Sequence, residues 1–455
     1  MQRMNALDAG MFFAENDTTP LQIGTVAVFE GPAPDYSDLV RQVFARLRLA
    51  PRCLQRVRTV PFHLAHPVWV DDRRFAMADH VLHTVVPEPG GPEELCDLAG
   101  RILERPLDLT RSPWEVWLVE GLAEDRWALI CKVHHCMVDG LAGIDLLAVL
   151  LDTDPDWTPA PPRIWMPKPE PHAWTVLRGG VADRLKGFGR QATRLFLPAL
   201  RDSVSVAGAV PGYVAQLAGP STSALNGPTG TRRRWARTYV HMDDVDRIRR
   251  AFGGSVNDVV LAAVAHGFRD LLTARGMLDE RSTVRAMVPV SVRSPDERGI
   301  SSNRVSAVAV ELPCADLDPH RRLRHVRTQM DGLKARDQAA GIDAFVRLLG
   351  AAPGLLAAAA HTALRLRQPL IQTIVTNVPG PSAPLYAMGR RMLEIDPYIP
   401  ITAGVRISIG VVSYNGGLSF GITGDHDAFP DLNTLGSGIR EGIDALLKEA
   451  TTQAA

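Results

Sequence analysis

The chain has 455 residues, more than one hydrophobic core usually organises, so its length predicts two domains. Apolar residues make up 46% and charged residues 22%, which is the composition of an ordinary folded protein. Fifty basic residues balance fifty acidic ones, and the missing basic excess argues against nucleic acid as a partner.

The cysteines are odd in number, scattered and never spaced C-x-x-C: Cys53, Cys96, Cys131, Cys136 and Cys314. This pattern predicts reduced thiols in a cytosolic protein, with no disulfide framework and no zinc cage. The first residues lack an unbroken apolar core, so we expect neither a signal peptide nor an anchor. The apolar stretch 348–366 is Ala-rich and is broken by Pro353 and Gly354, which favours a buried or surface-lying helix over a membrane span.

Strands and helices alternate in the first part of the chain. The β-branched segment 21–31 predicts a strand, and helical spacing of apolar residues predicts a helix within 35–51. A second helix is expected within 91–108, where Pro92 suits the first turn. Segments 114–122 and 126–133 read as two strands around a short acidic turn, and the second strand leads directly into His134.

A proline-crowded stretch then separates two units of similar size. Residues 153–234 are predicted to be a connector with crossover helices, between domains at 1–152 and 235–455. The second unit holds a predicted helix from Val256 to Arg275, closed by Gly276. Its predicted strands lie at 283–292, 303–312, 371–378, 404–414 and 417–423. The mixture predicts an α/β or α+β fold.

The stretch KVHHCMVDGLAG, residues 132–143, is the strongest candidate site. If the strand continued to its end, His134 and His135 would face opposite ways, because side chains alternate along a strand. That argues against both binding one metal ion, and no H-x-x-x-H or H-E-x-x-H spacing is present. His135 would continue the more apolar face.

Asp139 precedes an apolar-periodic helix, which is the place of an N-cap, and Gly140 would allow close approach of a backbone or a substrate. Two interpretations stay open from these residues alone. The stretch is either a pair of packed histidines before a capped turn, or a general base supported at a strand end.

The spacing HHCMVDG resembles the H-H-x-x-x-D-G signature of acyltransferases and condensing domains that use CoA or carrier thioesters. Several other stretches, in the same order along the chain, are similar to one branch, the bacterial wax ester synthase/diacylglycerol acyltransferases. They are LDAGMFFAE, RPLDLTRSPWEVWLVEGL, NDVVLA, VPVSVR, NRVS, TNVPGP and SYNGGLSFGITGD. One departure is that Ser112-Pro113-Trp114 stands where this family usually has Pro-Leu-Trp, which puts acceptor preference in doubt.

This resemblance implies two chloramphenicol-acetyltransferase-like domains enclosing a substrate tunnel. It implies transfer of a long-chain acyl group from acyl-CoA, used as co-substrate, to diacylglycerol or a fatty alcohol. His135 would be the general base and His134 its support, while Asp139 would be structural, with Arg293 as a candidate partner. No covalent intermediate is needed because a thiolate leaves readily, and the absence of G-x-S-x-G weighs against a hydrolase-type route.

Other positions remain as alternatives. Asn257 and Asp258 are either an oxyanion or tunnel element or a helix N-cap, and Asn377 is expected to be tunnel wall rather than chemistry. Trp114, Pro379 and Gly380 are further tunnel wall candidates.

We expect no metal and no permanently bound cofactor. We expect a cytoplasmic protein that sits peripherally on the inner face of the membrane or on lipid bodies, docking through 348–366 or the basic helix around Arg321. The rival functions are an acyltransferase of the same fold that uses a carrier-protein thioester or another acceptor, and a non-catalytic lipid-binding protein.

Overall fold

A computed structural model describes residues 2–137, 147–158, 161, 164–172, 174–179, 225–291, 305–335 and 370–454. The predictions for Asp139, Gly140, Arg293 and the apolar stretch 348–366 lie outside these residues. The helices are α1 (Ala6–Ala14), α2 (Tyr36–Arg46), α3 (Pro92–Leu103), α4 (Met242–Phe252), α5 (Val256–Ala274), α6 (Pro319–Ala335) and α7 (Leu432–Ala454).

The strands are β1 (Gln2–Arg3), β2 (Gln22–Glu30), β3 (Gln55–Arg58), β4 (Val68–Asp71), β5 (Val81–Val85), β6 (Trp114–Leu122), β7 (Arg126–His134), β8 (Asn226–Gly227), β9 (Arg233–His241), β10 (Val284–Ser291), β11 (Val305–Leu312), β12 (Thr373–Val378), β13 (Tyr386–Ala387), β14 (Arg390–Tyr398), β15 (Gly404–Val405), β16 (Ile407–Tyr414) and β17 (Gly417–Asp425). Residues 147–150 and 174–179 are also helical.

Local sequence signals explain the elements that were predicted correctly. Helix α3 begins at Pro92, and the Glu94 carboxylate accepts a hydrogen bond from the Gly91 N–H at 2.9 Å, as a first helical turn requires. Helix α5 ends where predicted, with Gly276 in the left-handed region at φ 65°.

Two six-stranded mixed sheets carry the fold. The strand orders are β13-β14-β2-β7-β6-β5 in the first sheet and β11-β10-β12-β16-β17-β9 in the second. Pairs β5–β6, β10–β12 and β12–β16 are parallel, whereas the other pairs in these sheets are antiparallel. The mixed α/β fold with two sheet-based units confirms the fold class.

The chain does not divide cleanly between these sheets. Strand β14, from the C-terminal part, pairs antiparallel with β2 in the N-terminal sheet, with Ile395 opposite Ala27. The sequence did not predict this exchange, because strand pairing between distant segments leaves no local signal. The domain limits at 152 and 235 stay a prediction.

The two sheets are locked together where β14 crosses the second sheet. A Cβ at Gly421 on β17 would lie 1.7 Å from the Pro397 carbonyl oxygen, so only glycine fits at this crossing. Arg237 on β9 donates to Asp396 Oδ2 at 2.7 Å and to the Glu394 carboxylate, both on β14. Asp396 is 2% exposed, so the Arg237–Asp396 pair is largely closed to water, whereas the Glu394 side chain is 33% exposed.

Candidate active site

His134 is completely buried at the end of β7, and both of its ring nitrogens are engaged. Its Nδ1 accepts a hydrogen bond from the Cys136 N–H at 3.0 Å, so the ring proton must be on Nε2. Nε2 in turn donates to Glu15 Oε2 at 2.8 Å. With one tautomer fixed and no nitrogen left over, His134 can hold the turn but cannot accept a proton from a substrate.

Glu15 is a site residue that residue-level reasoning missed. The same carboxylate oxygen that accepts from His134 also accepts from the Leu21 N–H at 2.8 Å, so Glu15 ties α1, the start of β2 and the histidine turn together. Its signal was present only as the last letter of the LDAGMFFAE block.

His135 does not continue the strand. Strand β7 ends at His134, and His135 opens a short 3-10 helix, His135–Met137. The prediction that His135 shares the apolar face of β7 was therefore wrong, because the alternation stops one residue earlier. Its backbone N–H donates to the Leu21 carbonyl at 2.8 Å, while the residue itself is only partly buried. Burial lowers the pKa of His135 below the usual histidine range, which favours the neutral, proton-accepting ring.

The Leu21 region therefore supports both histidines through different groups. Its N–H is bound to Glu15, which holds the His134 ring, and its carbonyl holds the His135 backbone. The His134 ring is fixed at both nitrogens, whereas His135 is held through its backbone and is only partly buried as a residue. This arrangement suits a supported general base.

Trp114 lies in the packed core. It is completely buried, its Nε1 donates to the Cys53 carbonyl at 2.7 Å, and its ring stacks on His80 with centroids 4.7 Å apart. Ser112, in the departure from the family pattern, donates through Oγ to the same carbonyl at 2.7 Å. Trp114 thus packs on all sides in the described residues, and a tunnel wall role for it stays a prediction.

The Asn257 and Asp258 pair lies in the first turn of α5, but the N-cap is Ser255. Asp258 completes a capping box: its Oδ2 accepts from the Ser255 N–H at 2.7 Å and from the Ser255 Oγ at 2.8 Å. This carboxylate oxygen of Asp258 therefore has a structural role, which is to cap helix α5. Asn257 is partly buried, and the hydrogen bonds of the described residues do not link it to His135.

Asn377 lies near the end of β12, opposite Val411, and is partly buried. The Pro-Gly-Pro turn that follows packs on the β16–β17 hairpin. The Gly380 N–H donates to Ser413 Oγ at 3.1 Å, and a Cβ at Gly380 would lie 2.1 Å from the Ser413 carbonyl oxygen. Pro379 is exposed. The close contact with the Ser413 backbone thus explains why residue 380 is a glycine. A tunnel wall role for Asn377, Pro379 and Gly380 stays a prediction.

Among the residues that the structure describes, one group away from the histidine turn has metal-ligand chemistry. His266, Asp270 and Glu441 offer ligand atoms within 4.8 Å of one another. However, Arg322 donates to His266 Nδ1 at 2.6 Å, which places the ring proton on Nε2, and Nε2 faces Asp270 at 3.4 Å. A protonated nitrogen cannot bind a cation, and the adjacent guanidinium repels one. The group is thus better explained as an ion network between helices than as a metal centre.

Comparison with known proteins places this arrangement in a family. Residues 4–260 match the wax ester synthase/diacylglycerol acyltransferase catalytic domain, and residues 301–447 match the C-terminal domain of the same proteins. The chain belongs to the wax ester synthase/diacylglycerol acyltransferase family. The resemblance inferred from HHCMVDG and its companion motifs is confirmed.

Several known proteins resemble the chain over nearly its full length. The probable diacylglycerol O-acyltransferase tgs1 of Mycobacterium tuberculosis is 35% identical over 98% of this chain and 96% of its own. The wax ester synthase/diacylglycerol acyltransferase from Marinobacter aquaeolei VT8 shares the fold, with a TM-score of 0.69 at 24% identity, over 99% of this chain and 100% of its own. A trichothecene 15-O-acetyltransferase from Fusarium sporotrichioides shares it with a TM-score of 0.64 at 14% identity, over 98% of this chain and 94% of its own.

Membership makes the role of Glu15 testable in an acyltransferase. We expect Glu15→Gln to lower kcat about tenfold while changing KM for acyl-CoA little, because a neutral amide holds the His134 ring and the Leu21 N–H less firmly. Steady-state kinetics on the purified variant measure this. Asp17→Asn, a nearby exposed acid, is the matched control and should retain full activity. An unchanged kcat in Glu15→Gln would show that the turn is positioned without this carboxylate.

Proposed function

We propose that the protein transfers a long-chain acyl group from acyl-CoA to diacylglycerol, with His135 as the general base. The observation that carries this proposal is the difference between the environments of the two histidines. The His134 ring is fixed by Glu15 and the Cys136 N–H, whereas burial lowers the pKa of His135 and no other residue that the structure describes forms a hydrogen bond with its ring.

In the proposed step, His135 takes the hydroxyl proton as the acceptor oxygen attacks the thioester carbonyl carbon. The C–S bond then breaks, the acyl group stays on the acceptor oxygen, and the CoA thiolate leaves with the proton returned by the imidazolium. Asn257 remains the candidate for stabilising the oxyanion, and Asn377 remains a candidate for the tunnel wall. Asp139, with Arg293, remains the candidate for holding the loop after the histidine turn.

A covalent acyl-cysteine route has no support from the thiols. Burial raises the pKa of Cys53, Cys96, Cys131 and Cys314 to about 12. Cys136, directly after His135, also has a raised pKa, from burial and from the nearby acids Asp8 and Glu15. Thiols in this state are protonated and poor nucleophiles at neutral pH, which favours direct transfer in a ternary complex.

The test is release of free CoA thiol from a long-chain acyl-CoA with diacylglycerol, with hexadecanol or with no acceptor. We expect the highest rate with diacylglycerol and near-background release without an acceptor. Release that needs no acceptor would indicate a thioesterase. Release only with hexadecanol would indicate a wax ester synthase, and activity restricted to a carrier-protein thioester would favour the rival acyltransferase.

The lowered pKa of His135 predicts the pH dependence of the reaction. The base must be neutral, and because its pKa in the folded protein is depressed, the neutral form persists below the usual histidine value of about 6.5. The acid limb of kcat should therefore have its midpoint below about 6.5. A pH–rate profile with a water-soluble alcohol as acceptor measures this without membrane effects. A midpoint above that value would contradict a buried, neutral base.

We also propose that the protein acts at the surface of the inner membrane or of lipid bodies, where diacylglycerol resides. None of the helices in the described ranges is long and apolar enough to cross a membrane. Peripheral binding is the route that this proposal requires.

A further inference from the structure

The small sheet formed by β1, β4 and β3 separates the histidine turn from the connector. On its inner face, Val57 and Trp69 pack in one cluster with Cys136, the residue after His135. On its outer face, Val68 and Val70 pack with Val176 of the connector. Alternation along β4 produces these two faces, so the connector lies one sheet away from the candidate base.

Polar contacts fix the connector on this outer face. The Lys168 N–H donates to Asp71 Oδ2 at 3.0 Å at the end of β4. Glu170 Oε1 accepts from Arg56 at 2.6 Å and from Arg58 at 2.9 Å, both on β3. The connector is thus held against the sheet while some of its side chains are directed outward.

Three large apolar side chains of the connector face solvent: Ile164 is 92% exposed, Met166 82% and Trp174 74%. Between the first two, Trp165 turns inward and meets the Phe75 ring edge-on, with centroids 5.9 Å apart. Trp174 lies four residues before the exposed Arg178 in the helical segment 174–179, whose inner face buries Val176. Three exposed large apolar residues within eleven positions of one segment are candidates for an interaction surface.

Exposed basic residues flank these side chains. Lys168 and Arg178 are exposed on the connector. Arg73 and Arg74 are exposed in the turn that follows Asp71, the residue whose carboxylate binds the connector backbone. The single acid between Ile164 and Arg178 is Glu170, which Arg56 and Arg58 already engage. Basic residues beside tryptophan and aliphatic side chains match the headgroup region of an anionic bilayer.

We propose that this connector surface, formed by Ile164, Met166, Lys168, Trp174 and Arg178, docks the protein on an anionic lipid bilayer. The inference rests on the proposed function in one respect: it identifies where a diacylglycerol-using enzyme meets its lipid. Apolar side chains enter the interface while the basic residues contact headgroup phosphates. The small sheet would then hold the histidine turn about 10 Å, one layer, from the lipid-facing surface.

This surface differs from the docking sites predicted from sequence. The stretch 348–366 lies outside the described residues. In α6, the Arg321 side chain donates to Asp316 at 2.6 Å and Arg322 is 1% exposed. One exposed large apolar side chain, Leu317, lies beside this helix, against three on the connector.

The first test measures binding to phosphatidylcholine vesicles with and without phosphatidylglycerol by flotation. We expect the full-length protein to prefer the anionic vesicles. Replacing Ile164, Met166 and Trp174 by Ser should weaken that binding about tenfold or more. The matched control replaces Met277 and Val85, which are 43% and 55% exposed elsewhere, and should bind like the wild type.

A second variant, Lys168→Glu with Arg178→Glu, tests the charge and leaves the apolar residues intact. It should lose about tenfold in binding to anionic vesicles and little on phosphatidylcholine alone. Its control is Arg247→Glu with Arg250→Glu, exposed arginines on α4. Fluorescence quenching by brominated lipid should also diminish in Trp174→Phe.

Unchanged vesicle binding in both connector variants would overturn the proposal. So would a concentration-dependent dimer that dissociates in the Ser variant and does not bind vesicles, since the occupant would then be a second copy. Vesicle binding requires no turnover, so the binding result can be interpreted even if the acyl transfer assay fails. Transfer to a water-soluble alcohol should be the same in the connector variants and the wild type.

Discussion

His135→Ala should lower the rate of acyl transfer by about 10²–10⁴-fold, the contribution expected of one positioned general base. The backbone N–H that binds the Leu21 carbonyl remains in the variant, and the partly buried ring leaves a modest cavity. We therefore expect the fold and acyl-CoA binding to survive. CoA release kinetics, thermal unfolding and acyl-CoA binding on the same preparation measure the three properties.

His134→Ala is the informative comparison. Its ring is completely buried and forms a hydrogen bond at both nitrogens. Removing the ring therefore breaks the hydrogen bonds that it forms with the Cys136 N–H and with Glu15. This variant should lose more stability than His135→Ala and less of its rate per folded molecule. Near-wild-type turnover by His135→Ala would falsify the assignment of the base.

Arg237→Met should destabilise the protein by about 3–5 kcal/mol, the usual result of removing one partner of a buried ion pair. Burial already raises the pKa of Asp396 despite the attraction of Arg237. Without the guanidinium, Asp396 must either remain charged in the core or take up a proton, and both states are less stable. Chemical denaturation monitored at neutral pH measures the loss.

The control for this variant is Arg247→Met, an arginine on α4 that is 63% exposed and 3.7 Å from Asp244, where a change below about 1 kcal/mol is expected. Adding Asp396→Asn to Arg237→Met should restore part of the stability because the unpaired charge is removed. If Arg237→Met unfolds at the same denaturant concentration as the wild type, the network between β9 and β14 contributes nothing to joining the sheets.

The sequence was informative where structure depends on neighbouring residues. Helix α3, the β6–β7 hairpin and the end of α5 at Gly276 follow from apolar spacing, proline and glycine, and all three were predicted. The His135 placement was wrong because the strand ends one residue earlier than its apolar pattern suggests. The contact between Glu15 and His134 joins residues 119 positions apart, and no spacing rule connects them. The capping box shows a different limit, since Ser255, Asn257 and Asp258 are all residue types that favour an N-cap.

The insertion of β14 into the N-terminal sheet has a consequence for synthesis of the chain. When β7 has emerged from the ribosome, β2 still has one unpaired edge, because its other partner is encoded roughly 260 residues later. At about 5–20 residues per second, that edge waits on the order of 10–50 s. An unpaired strand edge promotes pairing with other chains. Nascent chains should therefore depend on chaperones during this interval, and a fragment ending before residue 386 should aggregate even though it contains both histidines.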